Sequence, residues 1–299
     1  MLISVGEPIV AFERVVRADG SVVRRGPHAS GAPAIFSYVA ASLGTPTAFI
    51  GGVGEDEHGR FFSAELARSG ADAAAVHTDT NAPTATVLIH YDPDGCRSFD
   101  FSLADSAAAR LPEAALRDYP ERATWFHCSG SALQVGASLA ATTMAALRRA
   151  KAAGARISLD PNIREELLTP GGVGLLREFA AASDVVFPSE GELAVLGLTG
   201  EALEDRGALV VQTMATEGAV ARLGDQAWRQ PALAHPASVV DTDGAGDTFA
   251  GAFVAAAMAG FDPGACLLAA SQVVARAIAV EGPTTVDLSD WDWDSLAAG

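Results

Sequence analysis

Between Asp241 and Phe253 the chain reads Asp-Thr-Asp-Gly-Ala-Gly-Asp-Thr-Phe-Ala-Gly-Ala-Phe, a small flexible turn running into an apolar stretch at helical spacing. Residues as small as Gly244, Ala245 and Gly246 leave backbone N–H groups uncovered where the helix begins. Those unpaired amides and the positive end of the helix dipole favour an anion. Asp247 falls on the first turn beside that anion site. A carboxylate next to a phosphate is electrostatically unfavourable unless it has work to do, and accepting the proton of an attacking hydroxyl is such work. The same residues also read as an ordinary helix start with a capping Asp and packing glycines.

Two further clusters have chemical potential. Asp160-Pro161-Asn162-Ile163-Arg164 follows an apolar strand-like run, and polar residues at the carboxyl end of a parallel strand face the ligand crevice of an open α/β sheet. Ser189-Glu190-Gly191-Glu192 places a carboxylate where a hard cation such as Mg²⁺ could be held, often through water. Each has a plainer alternative: an Asp/Asn turn with a surface Arg, and a helix start with a solvated Glu. The six histidines and Ser129 form no nucleophile–base–acid pattern, and His127 at a strand end reads as packing.

The elements that must position these groups alternate. Strand-like runs at 2–5, 47–50, 124–127, 156–159, 184–187 and 209–213 are separated by helical runs at 32–43, 57–69, 137–152, 173–182 and 189–196. Helices follow at 247–259 and 263–280, and 219–223 with 227–230 reads as an antiparallel edge hairpin. This rhythm predicts a largely parallel sheet with helices on both faces. Segments 9–25 and 84–101 break the rhythm and read as hairpins, turning at Ala18-Asp19-Gly20 and Pro93-Asp94-Gly95. Near the end, Trp291-Asp292-Trp293-Asp294 reads as a docked helix start with the Trp rings inward.

Composition narrows the function classes. The 299 residues carry a net charge of −17, which argues against nucleic-acid and anionic-membrane partners and requires any nucleotide site to be amide-lined or locally cationic. The three cysteines, Cys96, Cys128 and Cys266, are widely separated and odd in number, so they read as buried thiols of a reducing compartment. The start of the chain lacks signal-peptide character and no apolar run reaches membrane-spanning length, giving a cytoplasmic expectation.

The run from Asp241 to Phe249 resembles the carboxy-terminal signature of the ribokinase-like (phosphofructokinase-B-type) carbohydrate kinases, Asp-Thr-x-Gly-Ala-Gly-Asp-x-Phe, at every specified position. The segment from Ser30 to Gly44 resembles the amino-terminal signature of the same family, and its downstream continuation from Phe49 to Arg60 is similar to that family as well. The resemblance implies an α/β fold, a ribokinase-like three-layer sandwich with a largely parallel central sheet and a small β-sheet lid. It implies one kinase domain over residues 1–299, with the lid built from about 9–25 and 84–101. It further implies ATP and Mg²⁺ as cofactors and a small sugar or sugar acid as acceptor; it is compatible with a monovalent cation and with a homodimer paired through the lid.

Residue roles follow from the same resemblance. Asp247 is the implied base, with Gly244, Ala245 and Gly246 holding the phosphoryl group. Ser189, Thr213, Gly218, Asp241, Thr242 and Ser271 are implied around the nucleotide, and Glu192 around both nucleotide and metal. Gly31, Ala32, Ile35, Asn162 and Arg164 are implied around the acceptor. Three departures stand out: Ala215 replaces a glycine of the nucleotide loop, Ser30 replaces the first glycine of the amino-terminal signature, and Ala11 and Ile35 replace a sugar-binding Asp and Asn. The phosphoryl end is intact and the sugar-reading end is altered. The run Asp94-Gly95-x-Arg97-Ser98-Phe99 resembles fructokinases, whereas Gly6-Glu7-Pro8 resembles 2-keto-3-deoxygluconate kinases, whose Tyr-x-Arg is Asp100-Phe101-Ser102 here. A nucleoside kinase and a ligand-binding regulatory protein without turnover remain as other readings.

Overall fold

The computed structural model describes residues 1–17, 19–91, 97–164, 167–233 and 239–297. The expected turns at Ala18 and at Pro93-Asp94-Gly95, and Cys96, lie outside or at the edge of these residues.

Six short apolar strands form the parallel part of an eight-stranded sheet. They are β1 (Leu2–Val5), β4 (Thr47–Ile50), β9 (Trp125–Ser129), β10 (Arg156–Asp160), β11 (Val185–Val186) and β12 (Leu209–Thr213). The antiparallel pair β13 (Ala219–Leu223) and β14 (Gln226–Gln230) completes one edge, giving the order β14-β13-β12-β11-β10-β9-β1-β4. Alternation along each strand divides the core. Leu2, Trp125 and Leu209 point to one face, and Ile3, Phe126, Ile157 and Leu159 to the other. The register aligns like with like, Leu2 opposite Trp125 and Ile3 opposite Phe126.

On the first face lie α1 (Ala32–Ser42), α7 (Ala245–Met258) and α8 (Pro263–Ala277), contributing Phe36, Phe253 and Leu267 to one core. On the second lie α3 (Ala137–Ala152) and α4 (Pro170–Ala182), contributing Leu139, Met144, Leu147 and Phe179. In α3 the residues Leu139, Thr143, Ala146 and Ala150 recur at helical spacing on the buried side, and Arg149 and Lys151 fall in the last turn where cations suit the dipole. His127 is fully buried between these layers, stacked on Phe36 with centroids 3.6 Å apart, and burial pushes its pKa down to about 3. It is a neutral packing residue. Cys128 and Cys266 are buried free thiols.

A separate four-stranded sheet has the order β3-β2-β7-β8, from β2 (Ile9–Val16), β3 (Val22–Ser30), β7 (Ala85–Tyr91) and β8 (Arg97–Ser102). The two expected hairpins are thus joined by a parallel β2–β7 contact. The first hairpin runs to Ser30 rather than stopping at Arg25, because a register shift between Ala11 and Glu13 absorbs Gly26-Pro27 and pairing resumes at His28. Ile9, Ala11, Val87, Ile89, Phe99 and Phe101 form the apolar face, while Leu88, Ser98 and Asp100 are exposed. A third, two-stranded sheet, β5 (Gly52–Gly54) with β6 (His77–Asp79), precedes and follows α2 (Glu57–Arg68), whose cap Asp56 accepts from Gly59 N and also binds Thr84 at the start of β7.

Several helix bounds differ from expectation for local reasons. α4 begins at Pro170, since Thr169 caps it through Gly172 N and Pro suits the first position. The helix expected at 189–196 shrinks to α5 (Glu192–Val195), because Gly191 is left-handed (φ 85°) and Ser189 instead bridges to Thr213. α7 starts two residues early and α8 ends at Ala277 rather than 280. The remaining helices are α6 (Gly200–Glu204) and α9 (Asp294–Ala297), the latter just after Trp291 and Trp293, both packed on the first core. Among the described residues no helix is long and apolar enough to cross a membrane.

The edge strands of the four-stranded sheet bury little of their outer surface, so their hydrogen bonds should open more readily than those of the central sheet. Amide exchange of the free protein is expected to be faster in β3 and β8 than in β1, β9 and β10; equal protection would contradict this.

Candidate active site

The chemically suggestive residues converge at the carboxyl ends of the parallel strands. Glu7 follows β1, Ser131 follows β9, Asp160 to Arg164 close β10, Ser189 and Glu192 follow β11, and Thr213 ends β12. This is where the chain leaves the sheet toward alternate sides and a crevice opens.

Facing them is the start of α7. Its N-cap, Gly244, is left-handed (φ 68°), and no side chain caps this end. Ala245 N closes a turn onto Thr242 O at 3.4 Å, and an uncapped helix start of this kind favours an anion. A side chain at 244 would have no space, since a Cβ there would lie 2.8 Å from Ile35 Cδ1 and 2.9 Å from Pro283 Cβ. Asp247 sits on the first turn, 7% exposed, and Asn162 Nδ2 donates to its Oδ1 at 3.3 Å. Asn162 reaches it from a left-handed conformation (φ 38°) that Asn tolerates better than most residues. The Asp160 carboxylate fixes that turn by accepting from Asn162 N at 2.9 Å.

Burial pushes the Asp247 carboxyl up to about 7; Arg164 pulls the other way, and Asp243 reinforces the rise. Burial also raises Asp160 well above the usual range, with Glu192 and Asp247 adding repulsion. Glu192 ties two loops together: Oε1 accepts from Ile163 N at 2.7 Å and Oε2 from Ser189 N at 2.8 Å. Among the described residues no three acidic, Cys or His side chains converge to cage a metal. A divalent ion carried on phosphates, touched through water by Glu192 and Asp160, fits this donor set better than an all-protein site.

A cavity beside Asp247 is polar on one side and apolar on the other. Glu7, Ser131, Asn162, Arg164 and Asp243 line it from the loops around the central sheet and α7, and Ile9, Ser30, Val87, Ile89, Phe99 and Phe101 line it from the four-stranded sheet. Gly31, Ala32 and Ile35 also border it. Gly31 (φ 102°) caps α1, and a Cβ on it would meet the Glu7 carbonyl oxygen at 2.1 Å. Ala11 belongs to the same apolar sheet face, 1% exposed, behind the lining residues. An open hollow at the opposite, amino-terminal ends of β10 to β12, lined by Arg156 and Asp184, gathers none of these groups.

The expected nucleotide residues are less tightly gathered. Ser189 Oγ and Thr213 Oγ1 are 3.5 Å apart. The Thr213 loop continues through Ala215 (φ 45°) to Gly218 (φ 99°), so Ala215 keeps a left-handed backbone where the resembling sequences have glycine. Asp241 is buried; its Oδ1 accepts from Asp243 N at 2.9 Å and its Oδ2 from Gly282 N at 3.1 Å, while Thr242 is exposed. Ser271 is buried in the middle of α8, where Ala269, Ala270 and Val273 are also buried. Glu7, Ser131 and Asp243 were not among the expected site residues. An acidic residue directly after the first strand's Gly6 was the available signal for Glu7; nothing local marks Ser131.

Residues 1–290 match the family model described as "pfkB family carbohydrate kinase". The chain belongs to that family. It is a sugar kinase. A fructokinase of Klebsiella pneumoniae is 37% identical over 243 residues, covering 77% of this chain and 76% of that protein. A probable fructokinase-5 of Arabidopsis thaliana is 30% identical over 270 residues, covering 85% and 82%. Among solved structures, a putative ribokinase II from E. coli in complex with ATP and Mg²⁺ superposes with a TM-score of 0.87 at 29% identity, covering 96% of this chain and 95% of that one. A Vibrio cholerae fructokinase bound to fructose, ADP and calcium superposes with a TM-score of 0.82 at 26% identity, covering 99% and 98%. The ribokinase-like α/β fold of this kinase is thereby established.

The raised pKa of Asp247 carries a stability consequence. The folded carboxyl titrates near 7 against an ordinary 3.8, so the folded state holds the proton more tightly than the unfolded chain. Stability from this group is greatest at low pH and is lost as pH rises from 3.8 through about 7. Asp247→Asn removes the ionisable group, and its melting temperature should exceed the parent's by more at pH 8 than at pH 5, measured by scanning fluorimetry. A constant difference across that range would contradict the buried-carboxyl assignment.

Proposed function

We propose that this kinase transfers the γ-phosphoryl group of ATP to a primary hydroxyl of a small carbohydrate, with fructose as the first acceptor to test. The observation that carries the reading is a buried carboxyl, Asp247, held by Asn162 at the uncapped start of α7. In this mechanism Asp247 takes the hydroxyl proton as the oxygen attacks phosphorus, and ADP leaves in line. The amides of Gly244 to Asp247 stabilise the charge that develops on the transferring group, and Arg164 adds a cation on the cavity side. Asn162 fixes the Asp247 carboxyl, and Asp160 fixes Asn162. Mg²⁺, when bound with the nucleotide, supplies charge neutralisation between the phosphates, with Glu192 and Asp160 as its water-mediated neighbours. Ser189, Thr213, Gly218, Asp241 and Thr242 complete the proposed nucleotide side; Ser271 has the least support.

The four-stranded sheet serves in this reading as the lid over the acceptor, within one kinase unit of 1–299. Tyr91 Oη donates to Asp241 Oδ1 at 3.4 Å, and Arg25 pairs with Glu281 at 3.1 Å, so lid strands touch the loops next to the anion site. A monovalent cation, a homodimer through the lid and a cytoplasmic location complete the proposal, tested by potassium dependence of turnover, mass in solution and cell fractionation.

The test is ADP release by the purified protein with fructose, ATP and Mg²⁺. Asp247→Asn should lower kcat by about 10²–10⁴, as loss of a positioned base does. The parent's kcat/KM should also fall as pH drops below about 7, where Asp247 becomes protonated. Turnover of the variant within a few-fold of the parent would refute the base assignment.

The apolar wall sets a second expectation. Ile35 is 2% exposed against Gly244, and Ala11 sits among Ile9, Val87 and Ile89, so neither rewards a hydroxyl it must desolvate. Fructose should be used weakly, and an acceptor with fewer hydroxyls on that side preferred. Ala11→Asp with Ile35→Asn should improve fructose kcat/KM by about 1–3 kcal/mol of transition-state binding. Ordinary fructose efficiency in the parent would place both residues away from the sugar.

A further inference from the structure

Glu7 stands out among the cavity's polar groups because, among the described residues, one of its oxygens has no hydrogen-bond partner. The residue is 2% exposed and borders the cavity together with Asp247 and Arg164. Ser131 Oγ donates to Glu7 Oε1 at 2.6 Å, whereas Glu7 Oε2 is buried with no hydrogen bond. A buried carboxyl oxygen left unpaired is unfavourable. The Ser131 bond fixes the side chain's orientation, leaving the open oxygen as an acceptor with fixed geometry. Gly31 stands beside the Glu7 backbone without a Cβ, which keeps α1's start close to this residue. Across the cavity the neighbours from the four-stranded sheet are apolar apart from Ser30 at the end of β3: Ile9, Val87, Ile89, Phe99 and Phe101. An acceptor seated here therefore finds its fixed hydrogen-bond acceptor on the Glu7 side. Glu13, also buried with an open oxygen, faces Arg25 at 3.6 Å and does not line the cavity.

We propose that Glu7, oriented by Ser131, binds a ring or chain hydroxyl of the acceptor and sets which hydroxyl pattern this kinase accepts, replacing the hydroxyl recognition that Ala11 and Ile35 cannot supply. The hydroxyl bound by Glu7 is a different one from the hydroxyl that faces Asp247; no bond to phosphorus forms at Glu7. This assignment rests on the sugar-kinase reading and deepens it.

The experiment compares the parent with Glu7→Gln and Ser131→Ala. The parent is first assayed with fructose, 2-keto-3-deoxygluconate and inosine, and the best acceptor is then used as a series of monodeoxy analogues. In the parent, removing the hydroxyl that Glu7 binds should lower kcat/KM about 10²-fold. Glu7→Gln should raise the acceptor KM at least about tenfold, leave the ATP KM within about twofold, and shrink the discrimination at that one hydroxyl to within about threefold. Ser131→Ala should shift the same hydroxyl's discrimination in the same direction by a smaller factor, since it removes only the orienting bond. A general loss of structure would not single out one hydroxyl. If the parent turns over and the variants discriminate among all analogues as the parent does, the assignment to Glu7 is overturned while the kinase reading stands. If the parent turns over none of these acceptors, the proposed acceptor classes fall, and this assignment with them, while the family membership stands.

Discussion

The site depends on holding a carboxyl out of water at a helix start. Asp247 is buried in a chain already carrying a net charge of −17, and Asp160, Glu192 and Asp243 all raise the cost of ionising it or one another. Such a cluster is unfavourable in the folded protein, because burial and like charges both disfavour the ionised form. Three features offset it: the α7 amides, the Asn162 amide and the nearby Arg164 guanidinium. None neutralises Asp247 fully, and that incompleteness is useful. A carboxyl balanced near neutrality can exchange a proton with an attacking hydroxyl, whereas one locked in a strong ion pair could not. The same acidity repels a bare polyphosphate, so a nucleotide would be held by backbone amides and accompanied by cations.

The layers serve this arrangement. Parallel strands bring five separate loops to one end of the sheet, and short bonds fix the β10 and β11 loops: Asn162 N to Asp160, Ser189 N and Ile163 N to Glu192. Glu192 acts first as a brace between the β10 and β11 loops. Its carboxylate is oriented by two amides, which is how a weak, water-mediated cation contact could still be well placed.

Much of this was legible in the sequence where the cause is local. Gly-Ala-Gly-Asp before an apolar helical run marks the α7 start because glycine permits the left-handed turn at Gly244 and the following period of 3.6 is helical. The helix at 137–152 and the strand at 209–213 have the expected bounds for the same reason. What was not legible depends on distant partners. Ser131 meets Glu7 across 124 positions, and only the pairing of β1 with β9 brings them together. The first hairpin's extension to Ser30 depends on a bulge opposite Ala11, and the shortened α5 on Gly191 adopting a left-handed turn so that Ser189 can bridge to Thr213. Ser271, implied by the family resemblance, lies buried on α8.

The departures at Ala11 and Ile35 also acquire a physical meaning that alignment alone lacks. Ile35 packs against Gly244, so the residue that departs from the family's acceptor-reading amide also supports the anion turn. A change at 35 cannot alter acceptor recognition without also altering the wall behind the left-handed Gly244. Ala11 is different, since it lies on a sheet that touches the main domain through Tyr91 and Arg25 rather than through the turn itself. The two substitutions should therefore not be equivalent: the effect of Ala11 is confined to the four-stranded sheet, whereas that of Ile35 reaches both the cavity and the turn at Gly244 proposed to receive the phosphoryl group. Recognition through Glu7 avoids this coupling. It follows β1, is oriented by a residue that follows β9, and touches neither Ile35 nor Gly244 in the bonds that fix it. A chain that has lost a polar partner beside its anion turn can in this way keep an intact phosphoryl end while moving acceptor recognition to the rigid end of the central sheet.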